Sequence, residues 1–166
     1  MASALYFVFG HFLQIKLTDN VQLTVKGLPV LIVAIAVGPV DAMSTAIIGE
    51  FFCQLTSEWG LSPTTVLWIL APALRGLIVG LLFEKQNPNE HKLKWVLTVL
   101  ISNFAVTVVN LGITFLDAYI WDYSAGLLMI DYILKIVTSV GTAIVFIFVT
   151  PLITKAINIA YKKDSD

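Results

Sequence analysis

The sequence predicts an all-α integral membrane bundle of about six transmembrane helices, with both termini cytoplasmic. Three observations predict it. First, 58% of the 166 residues are hydrophobic and 13% are charged, against about half and a quarter in a soluble domain. A chain this short cannot hide so much apolar surface in one aqueous core, and lipid is the natural solvent for the excess. Second, the apolar residues fall in runs near the roughly 17–20 residues that a spanning helix needs, not in the alternation of a membrane barrel. Third, the lysines cluster on one side of those runs.

The elements follow in order. Ala2 to Leu17 is a first candidate helix, short for a full crossing, and the polar stretch Thr18 to Lys26 follows it. A second run, Gly27 to Val40, ends in the turn signal Gly38-Pro39. The third spans Ala42 to about Thr56, with a short polar link from Ser57 to Pro63. Thr64 to Phe83 is the fourth, and EKQNPNEHKLK (Glu84 to Lys94) is the clearest loop in the chain. Trp95 to about Ala118 is the fifth, and Leu127 to Thr150 the sixth, which Pro151 is expected to end or kink. A single transmembrane substrate-binding domain over residues 1–166 is expected, with no second domain and no repeat. MASALYFVFG lacks a basic n-region and does not read as a secretory signal.

With the N-terminus inside, the inner side holds Lys85, Lys92, Lys94, Lys155, Lys162 and Lys163, while the outer loops hold Lys16 and Lys26. That asymmetry sets the orientation. Tyr119, Trp121 and Tyr123 then sit at the outer interface and Trp95 at the inner one, as aromatic belts do.

Polar groups inside apolar helices are costly and should face protein or a cavity. Asn103, Thr107, Asn110 and Thr114 recur at i, i+4, i+7 and i+11 on the fifth helix, and Asp131, Lys135, Thr138 and Thr142 repeat that spacing on the sixth. Asp131 and Lys135 can pair along their helix. Glu50 and Gln54 share a face of the third helix; Thr65, Trp68, Pro72 and Arg75 fall on one side of the fourth. Thr138, Thr142 and Asn103 read as interhelical glue. Asn110, Thr114, Asp131, Lys135, Gln54 and Trp68 all lie in the outer half, and their convergence suggests a pocket for a small polar ligand. Glu50 and Arg75 sit deeper and are most simply a structural ion pair between the third and fourth helices; alternatively, Arg75 holds an anionic ligand group.

The composition gives no electrostatic reason for a nucleic-acid partner, since net charge is -1. Cys53 is the only cysteine and reads as packing. Metal-ligand spacings, a P-loop and a nucleophile elbow are missing from the sequence, so it is not read as an enzyme. His11 reads as an interface histidine. Small residues recur at Ala73, Gly76 and Gly80 and at Ala42, Ala46 and Gly49. Such faces serve either packing within the bundle or docking of another membrane subunit.

About six short helices in under 200 residues, with a polar outer loop after the first, resemble the substrate-binding S component of an energy-coupling factor (ECF) vitamin transporter. LPVLIVAIAVGPVDAMSTAIIGEFFCQL is similar to that family's second and third helices, GLSPTTVLWILAPALRGLIVGLLFEK to its fourth and VVNLGITFLDAYIW to its fifth. The likeness covers about Lys26 to Pro151. The family's first helix commonly carries an Ala-x-x-x-Ala docking face, whereas Ala2 and Ala4 stand here at another spacing, so the small faces of the first three helices would serve. The resemblance implies a multi-pass protein of the bacterial plasma membrane that binds a vitamin from outside. It then joins a transmembrane coupling protein (EcfT) and two ATPase subunits, and topples to release the vitamin inside. No cofactor is implied in this chain, since ATP is used by the partner subunits.

TTVLWILAPALRGL resembles the pantothenate-specific members. Arg75, Lys135 or Lys26 could meet that vitamin's carboxylate, and Asn110, Thr114 and Gln54 the rest. Helices two to five also resemble the folate-specific members, for which Trp68, Trp59 and Tyr119 could supply stacking. Pantothenate ranks first, then folate, then a pyridoxine-type or other ring vitamin. A non-transport membrane scaffold or assembly subunit is the alternative from another class, and an intramembrane enzyme using Glu50 with His11 the weakest.

Overall fold

The computed structural model describes residues 1–18, 21–57 and 60–163. Six helices occur in the order expected: α1 (Ala2–Phe12), α2 (Gly27–Ala36), α3 (Pro39–Leu55), α4 (Thr65–Phe83), α5 (Lys92–Ile120) and α6 (Ala125–Lys163). Three of them, α4, α5 and α6, are long and apolar enough to cross a membrane. At 1.5 Å per residue α4 is about 28 Å long, close to the hydrocarbon thickness of about 30 Å. Their outward faces carry exposed large apolar residues such as Val66, Leu81, Phe104, Phe115, Ile133 and Phe148, the surface a lipid-facing bundle presents.

One departure from the expected elements has a local cause. The first helix stops at Phe12 rather than Leu17, because QIKLT and VQLT alternate and are rich in β-branched residues. They form an antiparallel hairpin, β1 (Gln14–Thr18) with β2 (Val21–Thr24), pairing Ile15 with Leu23 across an irregularity between Lys16 and Thr18. Pro151, in turn, does not end α6, which runs through it to Lys163.

Close contacts give the helix directions. α1 runs alongside α3, with the Tyr6 ring against Gly49 and Gly10 against Cys53. α2 runs the other way, so that Lys26 at its start reaches Glu50 near the end of α3. Between them Gly38, at φ 138°, turns the chain and Pro39 begins α3. α4 packs antiparallel on α3: a Cβ at Gly76 would lie 2.8 Å from the Ala42 carbonyl carbon, and one at Gly80 2.4 Å from the Pro39 Cα. α5 and α6 continue the alternation. Asn89 donates to the Pro151 carbonyl at 3.1 Å, which brings the lysine-rich 84–94 segment and the far half of α6 to one face. The start of α1 and the far end of α6 lie toward that face. By the lysine rule it is the cytoplasmic one.

The small-residue faces of α3 and α4 are therefore spent inside the bundle. Ala42 and Ala46 are fully buried and Gly76 and Gly49 are in van der Waals contact with α3 and α1 respectively, which is the packing reading, and they do not form a free docking face. The core runs through α2, with Leu31, Ala34, Val79, Phe83, Trp95 and Phe146 closing around it.

Candidate functional site

Helices α1 and α3 and the start of α2 meet at Glu50. Its carboxylate accepts from the Tyr6 hydroxyl at 2.7 Å and from the Gln54 amide at 2.9 Å, and pairs with the Lys26 ammonium at 2.7 Å. The expected Glu50–Arg75 ion pair does not form. Sequence spacing places a residue on a face but does not say which neighbour that face meets, and Glu50 turns toward α1 and α2. Arg75 instead donates to the Asn103 amide oxygen at 2.9 Å and lies over the Phe146 ring at 5.1 Å. Asn103 is held from its other side, donating to the Ser139 carbonyl at 2.6 Å. It is glue between α5 and α6, as expected. Thr138 and Thr142 are not, because they bond carbonyls of their own helix.

A second knot joins α4, α5 and α6 nearer the outer surface. The Trp68 indole N–H donates to Asp117 at 3.0 Å, and the Lys135 ammonium stands over the Trp68 ring at 4.7 Å while donating to the Thr114 hydroxyl. The Thr114 hydroxyl in turn donates to the Asn110 carbonyl at 2.8 Å. Pro72, one turn below, removes the N–H that would bond the Trp68 carbonyl.

Between the two knots lies a cavity of about 610 Å³, within the usual span of small-molecule sites. Six of the sequence-predicted residues line it: Asn110, Lys135, Trp68, Gln54, Arg75 and Lys26. Thr114 and Asp131 are buried but stand behind the wall. Thr114 accepts from Lys135 and does not line the cavity, although Asn110 and Asp117 on either side of it along the stripe do. Tyr119, offered for stacking, is 83% exposed and stays outside, and Trp59 lies outside the described residues. Sequence reasoning missed Asp117, Tyr6 and the hairpin residues Gln22 and Thr24, which also line the cavity. An alternation count over residues 14–24 would have found the hairpin. Asp117 follows the fifth-helix stripe by one further turn and was legible by the same spacing.

A family model described as ECF-type riboflavin transporter, S component, matches residues 1–159. The chain belongs to that family. This S component is thus a membrane-integral, substrate-binding subunit of an ECF vitamin transporter, as the resemblance implied. S components of ECF transporters work with EcfT and ATPases. The family description names riboflavin and lends nothing to the preference for pantothenate. No curated protein and no solved structure matches the chain.

Proposed function

We propose that this S component captures riboflavin, or a close flavin, from the outer side of the membrane. It then docks to the transmembrane coupling protein and its two ATPase subunits, whose ATP hydrolysis drives release of the vitamin inside. The chain works without a cofactor of its own. The observation that carries the flavin reading is the make-up of the cavity beside the family description. One wall holds the Trp68 ring, fixed by Asp117 and with the Lys135 ammonium over it, an aromatic group suited to packing against the edge or face of a planar ring system. The remaining walls mix apolar side chains such as Val21, Leu61 and Val106 with polar ones: Lys26 is paired with Glu50; Gln54, Asn110 and Thr107 offer amides and a hydroxyl; and Arg75 stands at the inner end. Riboflavin is neutral, planar at one end and polyhydroxylated at the other, and asks for such a mixture.

Pantothenate is the second reading. Arg75 favours it, because no carboxylate of the described residues lies within salt-bridge distance of that guanidinium. Calorimetric titration of the detergent-purified chain with riboflavin, pantothenate and folate separates the readings. Saturable heat with riboflavin alone is expected. Heat with pantothenate and none with riboflavin would replace the flavin reading, and no heat with any vitamin would return weight to the scaffold alternative.

A further inference from the structure

Arg75 sits near the middle of α4, at the inner end of the cavity. An ionised group at such depth is expensive and marks function unless it is fully matched. Arg75 is not fully matched. Its guanidinium carries five N–H donors, and one of them, on Nη2, meets a protein acceptor, the neutral amide oxygen of Asn103. Its buried Nε has no partner. The group is nonetheless held in place. The Phe146 ring stands against it, its centroid 5.1 Å from the guanidinium carbon, and Gly27 flanks both groups, where a Cβ would stand 2.5 Å from Arg75 Nη1 and 2.7 Å from Phe146 Cζ. Gly27 thus leaves the room in which the guanidinium lies, and the atoms that an added methyl would strike are the free ends of two side chains, not backbone.

We infer that Arg75 is the deep anchor of the ligand and that Gly27 is its positioning residue. The inference rests on the flavin reading: the ligand inserts its pyrimidinedione edge inward, so that a carbonyl oxygen and the neighbouring ring nitrogen accept from the guanidinium, while the ribityl chain points toward Asp117 and the mouth. A guanidinium offers two parallel N–H groups to such an adjacent acceptor pair, which an ammonium does not.

The test compares wild type with Arg75→Gln, Arg75→Lys and Gly27→Ala. Each is titrated with riboflavin and with lumiflavin, which keeps the ring and replaces the ribityl chain by methyl. Thermal unfolding of each ligand-free protein is followed in parallel. Gln at 75 and Ala at 27 are expected to weaken riboflavin on the order of 10- to 100-fold, the scale of hydrogen bonds to a charged group. The same factor is expected for lumiflavin, and Lys at 75 should restore part of it. Gly27→Ala should unfold within a few degrees of wild type while the absorption bands of its bound flavin move back toward those of free flavin. A penalty seen with riboflavin but absent with lumiflavin would place Arg75 on the sugar-like chain and overturn the orientation. Wild-type affinity in Gly27→Ala would overturn the positioning role. Wild-type protein that binds neither flavin would bring down the flavin reading itself, an outcome distinct from both.

Discussion

Lys26→Met removes the cation that faces Glu50 and leaves the carboxylate where it is. The Glu50 side chain is 5% exposed and that of Lys26 25%, so the two substitutions of this pair are not equivalent. Breaking a buried pair by removing one partner costs about 3–5 kcal/mol. Here the stranded carboxylate keeps the Tyr6 hydroxyl and the Gln54 amide as donors, which lowers the expected cost to about 2–3 kcal/mol. Glu50→Gln strands only Lys26, which can turn its ammonium toward water, and should cost about 1–2 kcal/mol. The double variant no longer buries an unmatched charge and should resemble Glu50→Gln alone, falling short of the summed single costs by about 2–3 kcal/mol. Equilibrium unfolding of the ligand-free protein in detergent, followed by tryptophan fluorescence, measures all four corners of the cycle. Costs that add to within about 0.5 kcal/mol, or a Lys26→Met cost below about 1 kcal/mol, would refute the argument that these groups are coupled and desolvated.

Gly80→Ala should destabilise the bundle by about 1–3 kcal/mol, because its methyl meets the Pro39 backbone; Gly112→Ala, with open space around it, should be neutral or stabilising by up to about 1 kcal/mol, and thermal unfolding of the pair checks the contrast. Trp68→Phe keeps a ring but loses the bond to Asp117, and calorimetry should find affinity reduced on the order of tenfold while the fold persists. Asn110→Ala and Lys135→Ala are each expected to weaken ligand binding without unfolding the bundle; normal binding by both would make their stripes purely structural.

The helices were legible because lipid imposes long apolar runs, and the outer pocket because polar residues on α5 and α6 repeat with the helical period. What was not legible depended on partners distant in sequence. The charge of Glu50 and that of Arg75 could be seen, and their depths compared, but α2 inserts Lys26 beside the one while α5 offers Asn103 to the other. No local pattern encodes that choice. Thr114 meets Lys135, while Asn110 and Asp117 on either side of it line the cavity, a distinction that helical spacing alone does not make. The hairpin was hidden for another reason: its short alternating run was merged with the apolar tail of the preceding helix.

The short helix α2 carries a consequence for biogenesis. Ten residues make about 15 Å of helix, half of what the hydrocarbon layer requires. It is enclosed by α1, α3, α4 and α6, and the last of these is synthesised after the other five helices. Its carboxyl end is closed by a donor from beyond α4, the Lys85 N–H on the Ile35 carbonyl at 2.8 Å. A segment of this length has no stable independent state in the bilayer, so its final seat cannot be taken as it leaves the insertion machinery. It must be acquired late, by assembly within the membrane once the chain's last helix has arrived. The cavity, whose floor begins at the first residue of α2, comes into being at that same moment.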